Sequence, residues 1–138
     1  MDQNKMKDIV ELEHVMRSFI RDFRKGLNEM LGEDFTSSEF SFLRAISENQ
    51  NQNVSSLAST LGVSNSHATS VMDRLAEKNL ITRTRSEKDR RVVVFTLTDE
   101  GEEVFNSLDQ KREAYMKQRF DSLSQDEIKE LLRIFKKL

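Results

Sequence analysis

Residues 54–97 constrain the fold most, because the hydrophobic pattern there changes from a helical period to an alternating one. A first short helix is predicted to have Ser55 as its cap and to end at Gly62, which permits a turn that most residues resist. Ser64 is predicted to cap a second helix, in which apolar residues recur at helical spacing: Ala68, Val71, Met72 and Leu75. This pattern predicts a helix-turn-helix, with the second helix as the candidate reader of DNA.

The second predicted helix carries a polar face made mostly of short side chains. Short polar groups near a helix N-terminus let the backbone approach phosphates and base edges. Each residue alone could be an ordinary cap or surface residue, but the set, followed by a basic hairpin, favours contact with DNA. The face consists of Asn65, Ser66, His67, Thr69, Ser70, Asp73 and Arg74.

A basic hairpin follows the two helices. Alternation and β-branched residues predict strands over residues 80–85 and 91–97, and the loop over 86–91 has no glycine, so a connection longer than two residues is expected. Arginine suits the minor groove because its guanidinium is flat and weakly hydrated. Asp89 can hold a neighbouring arginine in one orientation. A helix-turn-helix followed by such a hairpin is a winged helix.

Long apolar helices are predicted before the winged helix. Residues 8–31 form a wide apolar stripe that ends at Gly32. A capping box of Thr36 and Glu39 opens the first helix of the winged domain, which is expected to end near residue 48. Val54 is expected to add a short strand beside the hairpin.

The C-terminal part is also helical in pattern. Thr98 is predicted to cap a helix that reaches Phe120, and a second capping box over residues 124–127 opens a last apolar helix that reaches Leu138. Apolar helices at both chain ends predict a homodimer, which would present two reading helices to a palindrome. The alternative is a first helix that folds back wholly onto its own domain.

An ordered set of short motifs resembles the multiple-antibiotic-resistance regulator (MarR) family of bacterial transcription factors. The motifs are Leu57-Ala58, Leu61-Gly62-Val63-Ser64, the run over residues 75–81, Asp89-Arg90-Arg91, and Leu97-Thr98-Asp99-Glu100-Gly101. The resemblance implies a mainly α (α+β) fold, a winged helix-turn-helix with long N- and C-terminal dimerisation helices. It implies one domain over residues 1–138, with the winged helix over about 36–98 and dimerisation helices over about 5–32 and 99–138.

The same resemblance implies a homodimeric, sequence-specific repressor that blocks promoter access and is released by an effector. We expect the helix over residues 64–78 to enter the major groove of double-stranded DNA and the wing over residues 83–91 to enter the minor groove. The candidate DNA-binding residues are Ser64, Asn65, Ser66, His67, Thr69, Ser70, Arg74, Arg83, Arg85, Lys88, Asp89, Arg90 and Arg91.

The effector is expected to be a small aromatic or anionic molecule. The chain has no cysteine, so thiol oxidation is excluded, while oxidation of one of the six methionines stays open. An apolar cavity is expected where the first long helix meets the winged domain. Candidate residues are His14, Arg17, Phe19, Phe23, Phe40 and Phe42, although a charged solvent face is the simpler explanation for His14 and Arg17.

Composition limits the other classes of protein. The net charge is −2, but residues 54–98 hold seven basic and four acidic residues, so positive charge is gathered on the winged helix. Neither histidine, His14 or His67, has partner ligands at metal spacing, and no glycine-rich elbow accompanies a serine, so neither a metal, a cofactor nor an enzyme is expected. The remaining alternative is a winged helix used only for protein contact, such as an antagonist of another regulator. With no long apolar run or signal peptide, a cytoplasmic location without membrane contact is expected.

Overall fold

The computed structural model describes residues 2–138, which form six helices and one two-stranded sheet. The helices are α1 (Gln3–Leu31), α2 (Ser37–Glu48), α3 (Val54–Leu61), α4 (Asn65–Glu77), α5 (Asp99–Phe120) and α6 (Gln125–Phe135). The strands are β1 (Ile81–Arg85) and β2 (Val93–Leu97), which lie between α4 and α5 in the chain. The predicted winged helix-turn-helix flanked by long helices is confirmed.

Side-chain caps account for most of the helix starts. Thr36 and Ser124 form the two predicted capping boxes, and Ser64 and Thr98 accept hydrogen bonds from the backbone of the first turns of α4 and α5. Gly62 adopts a left-handed conformation (φ +67°), which ends α3 as predicted. The sequence therefore specifies these boundaries locally.

The start of α3 was predicted wrongly. Asn53, not Ser55, is the cap, because its side-chain oxygen accepts a hydrogen bond from the Ser56 amide at 2.8 Å. Val54 consequently begins a helix instead of a strand, and it is Gln52 that forms a single bridge with Phe95 beside the hairpin. Asn53 and Ser55 are both residue types that cap helices well, and in the structure Asn53, the last residue of the polar loop, takes this role.

Four other boundaries differ slightly from prediction. Helix α1 begins at Gln3 instead of residue 8, because the Asp2 side chain caps it. The strands begin one and two residues later than expected, and α6 ends at Phe135, three residues before the predicted end.

In the antiparallel sheet Ile81 lies opposite Leu97 and Arg85 opposite Val93.

The hydrophobic core lies inside the winged helix. Its fully buried side chains come from α2, α3, α4 and the residue before β1, and the largest are Phe42, Leu43, Ile46, Leu57, Val71, Met72, Leu75 and Leu80. Phe40 stacks on Phe105 of α5, with ring centroids 5.7 Å apart, which attaches α5 to this core.

Helices α1 and α5 pack against each other outside that core. Phe23 contacts Tyr115 and Phe120, with ring centroids 5.6 and 6.4 Å apart. The Tyr115 hydroxyl donates to the Phe23 carbonyl at 3.3 Å, and a Cβ at Gly26 would lie only 2.1 Å from the Tyr115 oxygen. A glycine at this position therefore permits the close approach of the two helices.

Large apolar side chains stay exposed at both ends of the chain. They are Met6, Ile9, Val10, Leu12, Val15, Phe19 and Ile20 of α1, and Ile128, Leu131, Leu132, Ile134, Phe135 and Leu138 in or just after α6. No residue of α6 is buried, although its apolar residues share one face. Within residues 2–138, no helix combines the length and apolarity needed to cross a membrane.

Candidate nucleic-acid interface

Helix α4 is held by a buried face and a capped N-terminus. Ser64 Oγ accepts a hydrogen bond from the His67 amide at 3.0 Å, and Ala68 and Val71 are fully buried against the core. The predicted reading face, from Asn65 to Arg74, is exposed throughout. The helix therefore presents short donors and acceptors to solvent from a rigid support.

Side chains of this face also make contacts within the protein. The His67 ring lies 6.4 Å from the Phe42 ring, centroid to centroid, which places the imidazole over the edge of the core. Arg74 Nη1 donates to Ser70 Oγ at 3.3 Å, one turn earlier on the helix. Both contacts restrict the rotamers of side chains that could reach base edges.

The loop of the wing is ordered by its own hydrogen bonds. The Ser86 amide donates to the Val92 carbonyl at 2.8 Å, and the Val92 amide donates to the Asp89 carbonyl at 3.0 Å. Arg85 Nη1 donates to the Arg90 carbonyl at 2.8 Å. This loop over residues 86–92 therefore has a defined shape without a glycine.

Asp89 orients Arg91 at the tip of the wing. One carboxylate oxygen of Asp89 accepts from Arg91 Nε at 3.1 Å and from the Arg91 amide at 3.0 Å, and the other accepts from Nη2 at 3.1 Å. These hydrogen bonds from Arg91 lower the pKa of Asp89, so the carboxylate stays ionised. The Arg91 side chain is 90% exposed, and its guanidinium is thus presented outward in one orientation.

An ion pair joins the reading helix to the wing. Arg83 of β1 pairs with Asp73 of α4, and its guanidinium carbon lies 5.9 Å from the centroid of the Phe95 ring. Asp73 reduces the positive field of Arg83, so this arginine connects the two candidate DNA-binding elements instead of standing free. Lys88 and Arg90 are exposed near Arg91, so the unscreened positive charge of the wing lies towards its tip.

The six candidate effector residues are not brought together. His14 is exposed, Arg17 pairs with Glu13 at 2.7 Å, and Phe42 lies in the core beside His67. Phe19 stacks with Phe23 at 5.6 Å between ring centroids and faces Phe120 of α5 at 6.1 Å.

Phe23 and Phe40 do line a common cavity of about 270 Å³ between α1, α2 and α5. It lies where the sequence predicts an effector cavity, at the contact of the first long helix with the winged domain. Its apolar wall also includes Leu27, Met30 and Met116.

Two cationic side chains at this cavity were missed by sequence reasoning. Arg44 lies 4.8 Å from the Phe40 ring centroid, and Arg112 Nε pairs with Asp109 at 2.9 Å. Arg44 follows Phe40 by one helical turn, a spacing that could have revealed it. Arg112 lies far along the chain, and no local signal links it to the cavity.

The amino-acid sequence is similar to known helix-turn-helix transcriptional regulators. A sequence model described as the MarR family matches residues 35–93. The chain is 37% identical over 128 residues to the HTH-type transcriptional regulator YpoP of Bacillus subtilis, covering 93% of this chain and 91% of YpoP. It is 34% identical over 112 residues to the HTH-type transcriptional repressor MdtR of the same organism, covering 81% of this chain and 72% of MdtR.

A solved structure supports the fold over nearly the whole chain. A mutant of MarR from E. coli complexed with operator DNA superposes with a TM-score of 0.81, covering 99% of this chain and 98% of that protein at 24% identity. At this level of identity, the likeness establishes the fold.

The contact between Asp89 and Arg91 predicts how substitutions in the wing change the affinity for DNA. Arg91→Ala should weaken binding to most DNA sequences and should flatten the salt dependence by roughly one unit of slope for each phosphate contact that is lost. Asp89→Ala should also weaken binding, although it removes a negative charge, because Arg91 loses its orientation. The measurement is fluorescence polarisation of labelled duplexes over a range of salt concentrations.

Glu87→Ala is the matched control, since it removes an exposed acidic charge from the same loop. It should leave affinity unchanged or raise it. The wing assignment would be wrong if Arg91→Ala bound as tightly as the parent at moderate salt. The orienting role of Asp89 would be wrong if Asp89→Ala behaved like Glu87→Ala.

Proposed function

The chain belongs to the MarR family of DNA-binding transcriptional regulators, and we propose that it acts as a homodimeric repressor of a palindromic operator. The observation that carries the proposal is the exposed polar face of α4, which the Asp73–Arg83 ion pair joins to a wing with an oriented arginine at its tip. The operator complex of E. coli MarR and the description of MdtR as a repressor support the same function. We assign residues 1–138 to one domain of this type.

The two elements have different tasks in this proposal. Helix α4 reads base edges in the major groove, because its short polar side chains allow close approach. The wing follows the backbone into the minor groove, where negative potential attracts arginine. The assigned contacts are Ser64, Asn65, Ser66, His67, Thr69, Ser70 and Arg74 of α4 with its cap, and Arg83, Arg85, Lys88, Asp89, Arg90 and Arg91 of the wing, with Asp89 and Arg83 acting as orienting groups.

The reading assignment is tested by selecting bound sites from random duplex DNA. We expect Ser66→Ala and His67→Ala to change the preference among sites, by about 1–3 kcal/mol for each good base contact that is lost. Ser59→Ala is the matched control, because Ser59 is exposed on α3 outside the reading face.

The control should select the same sites as the parent. The reading assignment fails if the Ser66 and His67 variants also select those sites. The regulator proposal itself fails if the parent enriches no sequence and does not bind duplex DNA at low salt, which is the outcome expected of a protein-contact module.

A second copy of the chain is the proposed cover for the exposed apolar residues. Helices α5 and α6 form an open apolar groove of about 370 Å³, lined by Met116, Phe120, Ile128, Leu131, Leu132 and Phe135. The apolar half of α1 is exposed as well, so both chain ends offer surface for burial. Burying both ends against a partner would hold two reading helices at a fixed distance.

If α6 forms the dimer interface, a single charge introduced on its apolar face should strongly weaken the dimer. Leu132→Lys should weaken the dimer by roughly 3 kcal/mol or more, because each subunit loses the burial of a leucine. Glu130→Gln is the control with the same change in charge, on the opposite face of α6. Sedimentation at micromolar concentration measures the dimer, and the selected half-sites should be centred about 10 base pairs apart or at a multiple of this.

The control variant should remain dimeric and bind the operator as the parent does. A stable parent monomer with full affinity for DNA would contradict the dimer. A dimeric Leu132→Lys variant would exclude α6 as its interface.

We also propose that a small aromatic carboxylate binds in the cavity between α1, α2 and α5. Aromatic and apolar side chains line it, and Arg44 supplies a cation beside the Phe40 ring. The cavity touches both the long α1 and the winged helix, so a ligand can bind the free and DNA-bound conformations differently. That difference is required, because a ligand with equal affinity for both shifts nothing.

The cavity predicts that millimolar salicylate weakens the complex with DNA. Arg44→Gln should reduce this response, whereas Arg17→Gln should not, because Arg17 lies outside the cavity and pairs with Glu13. Peroxide at doses that oxidise thiols should have no effect, since the chain has no cysteine. Titrating the complex with each compound measures both responses. Loss of the salicylate response only in the Arg17 variant would place the site on α1, and release by mild peroxide alone would indicate methionine oxidation.

A further inference from the structure

The one charged side chain that is buried within residues 2–138 belongs to Glu39 in the first turn of α2. One of its carboxylate oxygens accepts from the Thr36 amide at 3.0 Å, which completes the capping box. The other accepts from Lys78 Nζ at 2.7 Å. An ordinary capping box needs only the first of these contacts, so the second requires a separate explanation.

Lys78 directly follows the reading helix and is its C-terminal cap. Its ammonium donates to the Asp34 carbonyl at 2.6 Å as well as to Glu39, and it lies 4.5 Å from the centroid of the Phe35 ring. Its own amide donates to the Arg74 carbonyl within α4. A single side chain thus joins the C-terminal end of α4 to three residues of the segment 34–39, which comprises the end of the α1–α2 connection and the first turn of α2.

The Glu39 carboxyl group is ionised in this contact. Burial raises the pKa of Glu39, but the hydrogen bond from Lys78, the Thr36 amide and the nearby positive charge outweigh it, so the pKa is lowered. The carboxylate is therefore charged and buried, and it depends on the ammonium that faces it. Such a pair has well-defined geometry, since each alternative arrangement leaves a buried charge without a partner.

The position of this contact matters for DNA reading. Helix α4 has 13 residues and is about 20 Å long, and its core-facing side is buried from Ala68 to Leu75. A tilt of this helix about its buried part moves the reading end in the direction opposite to the C-terminal end. Contacts to base edges tolerate only about 0.5 Å of such misplacement.

We propose that Lys78 is a positioning residue for DNA reading, which sets the tilt of α4 relative to α1 by fixing its end to the segment 34–39. The proposal rests on the function proposed above, in which α4 of each subunit reads one half-site. Because α1 belongs to the proposed dimer interface, the tilt also sets the separation of the two reading helices. Lys78 acts through α4 and contacts no base in this proposal.

The test compares specific and non-specific binding by the full-length dimer. Lys78→Met keeps most of the side-chain volume and removes the ammonium. We expect it to lower affinity for the selected operator about tenfold, as base contacts are strained. Binding to random duplex of equal length should stay within about twofold, because phosphate contacts remain. The penalty for changing the half-site spacing by one base pair should become smaller.

Three further variants keep the test interpretable. Lys78→Arg retains a cation for Glu39 and should restore the ratio of operator to random affinity at least in part. Lys78→Met combined with Glu39→Gln removes the unpaired buried charge, so it should fold even where the single variant does not, and it should reproduce the altered ratio and spacing profile. Lys117→Met removes an exposed lysine from α5 and should match the parent.

Equal losses on operator and random DNA would overturn the proposal, because they indicate loss of folded protein alone. A ratio and spacing profile in the double variant that match Lys117→Met would overturn it as well. Failure of the underlying function is seen separately, as the absence of any preferred sequence for the parent.

Discussion

The winged helix and the helix that follows it are joined where α5 begins against the main chain of Leu80. The Thr98 amide donates to the Leu80 carbonyl at 3.0 Å, and the Thr98 hydroxyl donates to the Asn79 carbonyl at 2.8 Å while accepting from the Gly101 amide at 2.9 Å. A Cβ at Gly101 would lie 2.0 Å from the Leu80 oxygen, and Asn79 adopts a positive φ of 63° to make the turn. The end of α4, both strands and the start of α5 therefore meet at one point, so α5 could not rotate without disturbing the reading helix and the wing together.

Acidic residues organise the positive surface. The chain carries more acidic than basic residues overall, yet Asp73 and Asp89 each lie beside an arginine of the wing. In each pair the carboxylate cancels part of the positive field of the arginine but holds its guanidinium in place. A guanidinium that is already held loses less conformational entropy when DNA binds. Exposed pairs of this kind add little to folding stability. Their value lies in the direction in which Arg91 points and in the connection that Arg83 makes between strand and helix.

The sequence predicts the parts of the fold that local chemistry determines. Caps at Thr36, Ser64 and Thr98 and the left-handed turn at Gly62 each depend on a few neighbouring residues, and all were recognisable. The start of α3 was misplaced because Asn53 and Ser55, two residues apart, are both good helix caps. The exposed face of α4 follows from helical periodicity, whereas the Asp73–Arg83 pair and the entry of Arg112 into the cavity arise from tertiary packing, which periodicity does not encode. Lys78 is the clearest case, since a lysine at a helix end ordinarily interacts with the helix dipole and solvent.

The segment 34–39 is where the proposed properties of this regulator meet. It follows α1, whose first half carries exposed apolar side chains, and it contains Ser37 and leads into Phe40, both of which line the cavity. Through Lys78 the same segment also contacts the end of α4. A ligand that displaces Phe40 would therefore act on the connection that is proposed to set the tilt of the reading helix, and DNA that favours one tilt would act back on the cavity. Reciprocity of this kind follows from thermodynamic linkage, and it requires only that the segment have two arrangements to which ligand and DNA bind unequally.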